Sequence, residues 1–215
     1  MIEELGIEIQ KKEIVESKYK FLRFVGFEEL ERWDVWNEKI ERKCKYPLIK
    51  FEDTLDKIVS KINKVPTNEF KESGKIPIIS QEKEYISGYT DLNLEPIKKV
   101  DLPLIVFGDH SQTKKLIDFE FISGADGVRL LKPNKNFNPQ YYLYYLETIN
   151  FNVSQKYTRH YKYLKNELIP LPPLSIQEKI AKHISNLKEQ IKTLRSEANE
   201  LKTNAKIEFE GVVFG

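Results

Sequence analysis

A long run of regularly spaced apolar residues near the end of the chain constrains its fold most. From residue 180 onwards these residues follow one another at alternating steps of 4 and 3. They are Ile180, Ile184, Leu187, Ile191, Leu194, Ala198, Leu201 and Ala205. This spacing is the a/d seam of a coiled coil. It predicts a long helix over residues 175–215 whose partner lies in a second copy or in another protein; packing on the chain's own body is the alternative.

The residues before the seam predict where the helix starts. Pro170, Pro172 and Pro173 do not fit inside a helix and favour an extended lead-in. Ser175 followed by Glu178 matches a capping box, in which the hydroxyl and the carboxylate bond free backbone N–H groups. We therefore expect the helix to begin at Ser175.

The composition is that of a charged, globular protein. Of its 215 residues, 40% are hydrophobic and 32% are charged, and the net charge is only +2. No apolar run approaches the ~20 residues that cross a bilayer, and the N-terminal residues lack a signal-peptide pattern. A single cysteine, Cys44, excludes an internal disulfide. We expect a cytoplasmic protein.

Short β-branched and aromatic runs predict strands in the middle of the chain. They are 76–80, 102–107, 119–122 and 128–131. Asn138-Pro139 predicts the start of a helix that ends at Thr148, and apolar spacing favours a helix over 54–62. The fold class is therefore α+β: a mixed, mainly-β globular domain over residues 1–174, with a weakly patterned extension over 1–46, followed by the long helix over 175–215.

Motifs for catalysis are mostly missing. The chain has neither a G-x-G nor a P-loop, and its three histidines lack metal-ligand spacing, so we expect no cofactor, no metal and no catalytic residue. Asp109-His110-Ser111 contains the residue types of a hydrolase triad, but triads are assembled in space and not from sequence neighbours. Asn138-Pro-Gln-Tyr141 resembles the Asn-Pro-Pro-Tyr motif of amino-methyltransferases except at its third position; a helix start is the preferred interpretation.

Two stretches carry side chains that DNA recognition uses. A polar loop follows the apolar run ending at Gly108, and its residues are Asp109, His110, Ser111, Gln112, Thr113, Lys114 and Lys115. The stretch 156–165 holds four cations, three tyrosines and one histidine. Cations interleaved with aromatics suit phosphates, and amides and hydroxyls suit base edges. We predict DNA contacts from this loop and from Lys156, Tyr157, Arg159, His160 and Lys162. A turn capped by Asp109 and a solvated basic face are the alternatives.

Four segments resemble the DNA specificity subunit of type I restriction–modification systems and the related recognition domains of fused restriction–methylation enzymes. They are Ile76-Pro-Ile-Ile-Ser-Gln with Ile86-Ser-Gly-Tyr-Thr, Phe107-Gly-Asp-His with Gly124-Ala-Asp-Gly, Ile169-Pro-Leu-Pro-Pro-Leu-x-x-Gln177, and the heptad helix. The resemblance covers roughly residues 47–210.

The resemblance implies a non-catalytic module. In that family each target recognition domain reads half of a split DNA sequence, and conserved helices hold two domains apart and dock methyltransferase subunits. Full subunits have two domains and two helices, whereas this chain has one of each, which implies a half-subunit, a fragment or the tail of a fused enzyme. We expect two copies to pair their helices antiparallel, with double-stranded DNA and methyltransferase and restriction subunits as partners. The alternatives from other classes are an enzyme, either a hydrolase using the Asp109-His110-Ser111 loop or a degenerate methyltransferase using Asn138–Tyr141, and a structural coiled-coil adaptor.

Overall fold

The structure is a computed structural model that describes residues 44–149, 151 and 159–214. The residues from Leu48 onwards form one compact unit. Its elements in chain order are β1 (Leu48–Lys50), β2 (Lys64–Val65), β3 (Ile76–Ile79), β4 (Gly88–Thr90), β5 (Leu104–Gly108), β6 (Lys114–Ile117), β7 (Ile122–Gly124), β8 (Val128–Leu131), α1 (Pro139–Thr148), α2 (Tyr161–Leu164), β9 (Leu168–Pro170) and α3 (Leu174–Phe214). A strand-rich body followed by one long helix confirms the predicted α+β class.

Strand β5 is the centre of the body. It pairs antiparallel with β6 on one side and with β8 on the other, so Val106 lies opposite both Lys115 and Leu130. All five residues of β5 are buried. A strand covered on both faces needs apolar side chains at successive positions, and the run Leu-Ile-Val-Phe supplies them. The strand predicted over 102–107 is confirmed, with its start moved to Leu104.

One face of β5 packs against a second sheet. That sheet has the strand order β2-β7-β3-β4, in which β7 runs parallel to both β2 and β3. Ile79 of β3 and Val106 of β5 belong to the same buried cluster as Phe121. Phe121 precedes β7, and its backbone bridges to Ile97. The strand predicted over 119–122 therefore starts later, at Ile122.

The other face of β5 packs against helices. Phe107 of β5 shares a buried cluster with Tyr142 of α1, Ile169 of β9 and Ala181 of α3. Full burial of a large apolar side chain stabilises a fold by roughly 1.5–3 kcal/mol. This cluster fixes β9, which pairs with β1, and the beginning of α3 against the body.

Helix α1 has the predicted start. The side-chain oxygen of Asn138 accepts a hydrogen bond from the backbone N–H of Tyr141 at 3.0 Å, and Pro139 occupies the first turn. Both features are typical of a helix N-terminus. The helix-start interpretation of Asn138–Tyr141 is confirmed.

Helix α3 begins one residue earlier than predicted. Its first residue is Leu174, and the carbonyl of Pro173 accepts the first helical bond, from Gln177 N at 3.1 Å. Pro173 therefore occupies the N-cap, and Ser175 lies inside the first turn. The capping-box role predicted for Ser175 is wrong.

The side chain of Gln177 joins the start of α3 to the segment before α1. It is fully buried, and its Oε1 accepts from Asn138 N at 2.7 Å. Its Nε2 donates to the carbonyls of Asn136 at 2.9 Å and Pro172 at 2.8 Å. These three bonds satisfy an amide that would otherwise be costly to bury. They give a structural reason for a glutamine at the end of the Ile-Pro-Leu-Pro-Pro-Leu segment.

The helix predicted over 54–62 is wrong. A 3-10 turn over Phe51–Thr54 is followed by irregular chain. The backbone N–H groups of Val59 and Ser60 donate to the carboxylate of Asp101 at 3.1 and 2.7 Å. These N–H groups thus bond to the buried Asp101 carboxylate and not to backbone carbonyls of a helix. The side chain of Val59, expected on the apolar face of the helix, is 72% exposed.

Candidate nucleic-acid interface

The predicted recognition loop joins β5 to β6, and its hydroxyl groups are hydrogen-bonded within the chain. Ser111 Oγ and Thr113 Oγ1 both donate to the carbonyl of Gln81, at 2.6 and 2.7 Å. Gln112 adopts a left-handed backbone conformation with φ of 57°. The loop is therefore a tight turn tied to the chain that follows β3.

The side chain of Gln112 is also engaged within the chain. Its Nε2 donates to the carbonyl of Phe151 at 3.1 Å, and its Oε1 accepts from Phe151 N at 3.2 Å. The side-chain amide of Gln112 therefore both donates to and accepts from the backbone of one residue, Phe151. Base reading by Gln112 stays a prediction, and it requires these two bonds to open.

Lys114 and Lys115 lie on β6, and not in the loop as predicted. Lys115 is 7% exposed, and its Nζ donates to the carbonyls of Ser80, at 3.0 Å, and Glu84. Lys114 is half-buried and donates to the carbonyl of Ile149 at 2.9 Å. Burial lowers the pKa of both ammonium groups. Phosphate contact by these lysines stays a prediction, and the structure gives both an internal bonding role.

The two predicted DNA-binding segments meet at Asp109. The carbonyl of Asp109 accepts from His160 N at 2.8 Å and lies 2.9 Å from His160 Nδ1. Its carboxylate accepts from Tyr161 N at 2.9 Å. The side chain is only 3% exposed. Segments 50 residues apart in sequence are thus fixed to each other, although Asp109 itself presents little surface to a ligand.

A group of exposed cations surrounds this junction. Arg159, Lys162 and Lys165 recur every three residues along the turn that contains α2, and all are exposed. Arg129 of β8 lies with its guanidinium 5.1 Å from the ring centre of Tyr161. We call Arg129, Arg159, Lys162 and Lys165 the basic cluster. Sequence reasoning missed Arg129, although a lone cation between Val128 and two leucines in a predicted strand marks an exposed position.

Aromatic rings support the basic cluster from below. The ring of Tyr161 lies 6.4 Å from Phe107 of β5, and Lys165 Nζ lies 5.6 Å from the Tyr161 ring centre. Lys162 Nζ lies 4.7 Å from the ring centre of Tyr163. These distances are in the range of cation–π interaction. Arg129 and Lys165 thus share one ring, Tyr161, which packs against the core.

The remaining predicted contact residues have mixed positions. His110 is exposed at the tip of the loop, while His160 is 6% exposed and stacks on Phe151 at 6.1 Å. Lys156 and Tyr157 lie outside the described residues. The prediction for those two residues is therefore left as it stands.

The a/d seam of α3 leaves the body after its first turns. Ile180 and Ile184 are half-buried, whereas Leu187, Ile191, Leu194 and Leu201 are 42%, 48%, 63% and 70% exposed. In the N-terminal part of the helix, the hydroxyls of Ser185 and of Tyr144 on α1 are 2.9 Å apart. Among the described seam residues, only the first two, Ile180 and Ile184, pack on the chain's own body. The alternative of internal packing therefore applies to those two residues.

The geometry around Asp109-His110-Ser111 does not resemble a catalytic triad. The Ser111 hydroxyl donates to Gln81, and the Asp109 carboxylate bonds Tyr161 N and approaches Arg129. A nucleophile needs its hydroxyl directed at a base, and here it is directed at a carbonyl.

The described part of the chain contains no group of three or more His, Cys, Asp or Glu side chains arranged to hold a metal ion. Within the same ranges, none of the helices combines the length and the apolar composition that crossing a membrane requires.

Comparison with known proteins identifies the family. A search of curated proteins finds no significant match. A chain from a structure on the complex assembly and conformational transition of the type I R-M system aligns with a TM-score of 0.61 at 16% identity, over 78% of this chain and 44% of that chain. The type I restriction-modification S subunit from M. genitalium aligns with a TM-score of 0.50 at 15% identity, over 81% of this chain and 47% of that chain. This chain thus spans less than half the length of either structure. A family model described as the type I restriction modification DNA specificity domain matches residues 41–203, and the chain therefore belongs to that family.

Proposed function

We propose that this chain is a sequence-specific, non-catalytic recognition module for double-stranded DNA within a restriction–modification system. It reads one half of a split target. The observation that carries the proposal is the junction at Asp109, where the loop after β5 and the turn containing α2 are bonded together beneath the basic cluster. Phosphate contacts from such a cluster would supply affinity, and the neighbouring loop, with His110 exposed at its tip, would supply sequence preference.

The surface chemistry supports DNA over other ligands. The chain has a net charge of only +2, so attraction to a polyanion has to be local. Three exposed cations within seven residues, joined by Arg129 from β8, provide that local charge. Cations held over tyrosine rings keep their orientation while remaining open to phosphate oxygens.

A hydrolase and a methyltransferase are supported less well. The Ser111 hydroxyl is bonded to a carbonyl, and the side-chain oxygen of Asn138 caps a helix. Both motifs have structural explanations within this chain. The module therefore acts by binding, and the chemistry belongs to partner subunits.

The exposed seam of α3 is complementary to a second copy in the antiparallel orientation. In that arrangement Ile184 faces the partner's Leu201, Leu187 faces the partner's Ala198, and Ile191 faces the partner's Leu194. Each alanine then meets a large side chain, and the layers have similar volumes. A parallel, in-register pair would instead place alanine against alanine at two levels, leaving gaps that lower stability.

Antiparallel pairing would give a two-fold assembly with one recognition body at each end. The two bodies would then read an interrupted palindrome. Apolar residues beyond the seam, including Ile207, Phe209, Val213 and Phe214, are exposed near the end of α3. They provide a surface on which methyltransferase subunits would dock once the helices are paired.

The proposal is tested by selecting bound sequences from a random duplex pool, with the chain alone and with a methyltransferase subunit. We expect enrichment of two short, inverted half-sites separated by a constant gap. Enrichment without any sequence preference would reduce the function to general DNA binding. Failure to retain duplex even at low salt would reject DNA recognition, and a pure coiled-coil adaptor would then be favoured.

A further inference from the structure

Arg129 is a cation whose surroundings restrict its orientation. It occupies the position on β8 opposite Phe107 of β5. Its guanidinium lies over the Tyr161 ring, and Nη2 is 3.4 Å from Asp109 Oδ2. The side chain is nevertheless 46% exposed. A guanidinium carries five N–H donors, so those that face away from Asp109 are open to solvent.

In contrast to the exposed Arg129, the side chain of Asp109 is buried. Its Oδ1 accepts from Tyr161 N, and its backbone carbonyl accepts from His160 N. With one oxygen fixed to the backbone of α2, the other oxygen is held towards Arg129. Little of this carboxylate is left to accept from the edge of a base.

Because the Arg129 side chain is 46% exposed, solvent screens its ion pair with the buried Asp109 carboxylate and limits what the pair adds to stability. Holding a flexible arginine in one place has a different effect. A free arginine side chain loses rotamer entropy when it is fixed, and orientation before binding reduces that loss. Arginine also suits phosphate in particular, because its planar fork donates to two oxygens at once.

We propose that Arg129 contacts a backbone phosphate of duplex DNA, and that Asp109 is a positioning residue that orients Arg129 and does not read a base. The inference rests on the proposed DNA-recognition function. It adds a residue to the interface and gives Asp109 a role different from the direct contact expected from sequence.

The direction in which DNA affinity changes in an Asp109 variant tests the role of Asp109. Asp109→Asn removes a negative charge next to the basic cluster, and charge alone would make binding to a polyanion tighter. The asparagine keeps an oxygen for Tyr161 N but loses the charge that faces Arg129. If Asp109 positions Arg129, the same change makes binding weaker. Glu52→Gln is the matched control. The exposed Glu52 carboxylate lies 2.8 Å from Lys165 of the same cluster. The Lys165 ammonium is a point charge with no planar fork to orient, so removing the Glu52 charge is expected to tighten binding.

The experiment measures the affinity of the full chain for a random-sequence 30-base-pair duplex across a series of salt concentrations. Arg129→Ala is expected to lower the slope of log K against log salt by about one unit, which corresponds to one phosphate contact. Arg129→Lys is expected to restore the slope but not the full affinity. Lys99→Ala, at the opposite end of the central sheet, leaves the slope unchanged. Thermal unfolding of each variant shows whether it is folded.

The double variant Asp109→Asn/Arg129→Ala completes the test. If Asp109 acts through Arg129, the double variant binds no more weakly than Arg129→Ala alone. Wild-type slope in folded Arg129→Ala, or tighter binding by Asp109→Asn, would overturn the inference while leaving DNA recognition in place. No duplex binding by the wild-type chain at low salt would reject both.

Discussion

Tyr142 and Thr54 form a hydrogen bond inside the core, between α1 and the 3-10 turn that follows β1. Their hydroxyl oxygens are 2.6 Å apart, and both side chains are fully buried. Thr54 Oγ1 donates to the carbonyl of Phe51, so the Tyr142 hydroxyl is the donor between the two. Burial raises the pKa of Tyr142 well above its usual value, which keeps this donor protonated.

Replacing Tyr142 and replacing Thr54 should lower the free energy of unfolding by different amounts. Tyr142→Phe removes one donor and leaves the Thr54–Phe51 bond, so we expect a loss of about 1 kcal/mol in unfolding free energy. Thr54→Val leaves the buried Tyr142 hydroxyl without a partner and also removes the hydroxyl bond to the Phe51 carbonyl, so we expect a loss of about 2 kcal/mol. Urea titration measures both. The reverse order would show that packing around the ring, and not hydrogen bonding, dominates.

Asp101 is a buried carboxylate that holds the irregular segment after β1. It accepts from Ser60 N and Val59 N and lies 2.8 Å from Lys132 Nζ. Burial by itself raises its pKa, but the bonds from Lys132, Ser60 and Val59 outweigh that effect and lower the pKa well below the usual value. The charged form is therefore the one that the folded state prefers.

Because its folded-state pKa is depressed, ionised Asp101 stabilises the fold above the unfolded-state value near 3.8, and that contribution is lost as pH falls through the lower folded value. Asp101→Asn should cost about 3 kcal/mol at pH 7. The difference between wild type and variant should shrink below about pH 4. Urea titrations at pH 7, 5 and 3 measure it, and a difference that does not change with pH would contradict the assignment.

At the scale of elements, the sequence predicts best where one local pattern decides the structure. The apolar run of β5, the cap of α1 and the heptads of α3 each carry their own signal. Strand β6 was missed because Lys114 and Lys115 give it the composition of a loop; Lys115 is buried only because distant carbonyls accept from it. The helix over 54–62 was wrong for a related reason: the acceptor of its N–H groups, Asp101, lies 41 residues beyond Ser60.

The seam of α3 gives a prediction about association. Leu187→Glu with Leu194→Glu places two charges in the proposed contact between copies, and we expect a monomer in sedimentation velocity experiments. Asn186→Glu with Thr193→Glu adds the same charge on the outer face of the same helix and should leave the dimer intact. If both pairs of substitutions leave the sedimentation coefficient unchanged, self-association through this seam is excluded.

At the scale of the whole molecule, the position of the candidate interface was partly predictable. Both segments chosen from composition meet at Asp109, because cations and polar side chains without a place in a core collect on one surface. Which of them face outward depends on tertiary contacts. Gln112 turns towards Phe151, while Arg129 enters from β8. Neither of these two contacts can be predicted from a local sequence pattern.

In the proposed antiparallel pair, α3 is a spacer of fixed length between two recognition bodies. Repeating the seven residues 187–193 after Thr193 keeps the heptads and lengthens the paired helices by about 10 Å. The two half-sites selected from a random pool should then move apart by about three base pairs. A seven-residue glycine–serine insertion at the same place should abolish the constant gap. An unchanged gap with the repeated heptad would show that the helix does not set the spacing.

The departure of α3 from the body has a consequence for the lifetime of the protein. An isolated helix is only marginally stable in water, and past its first turns α3 has few contacts with the body. With the proposed pairing of two copies, the order of α3 depends on mass action, and the melting temperature should rise with protein concentration. A protease that cuts unfolded chain would then digest unpaired copies faster than paired ones.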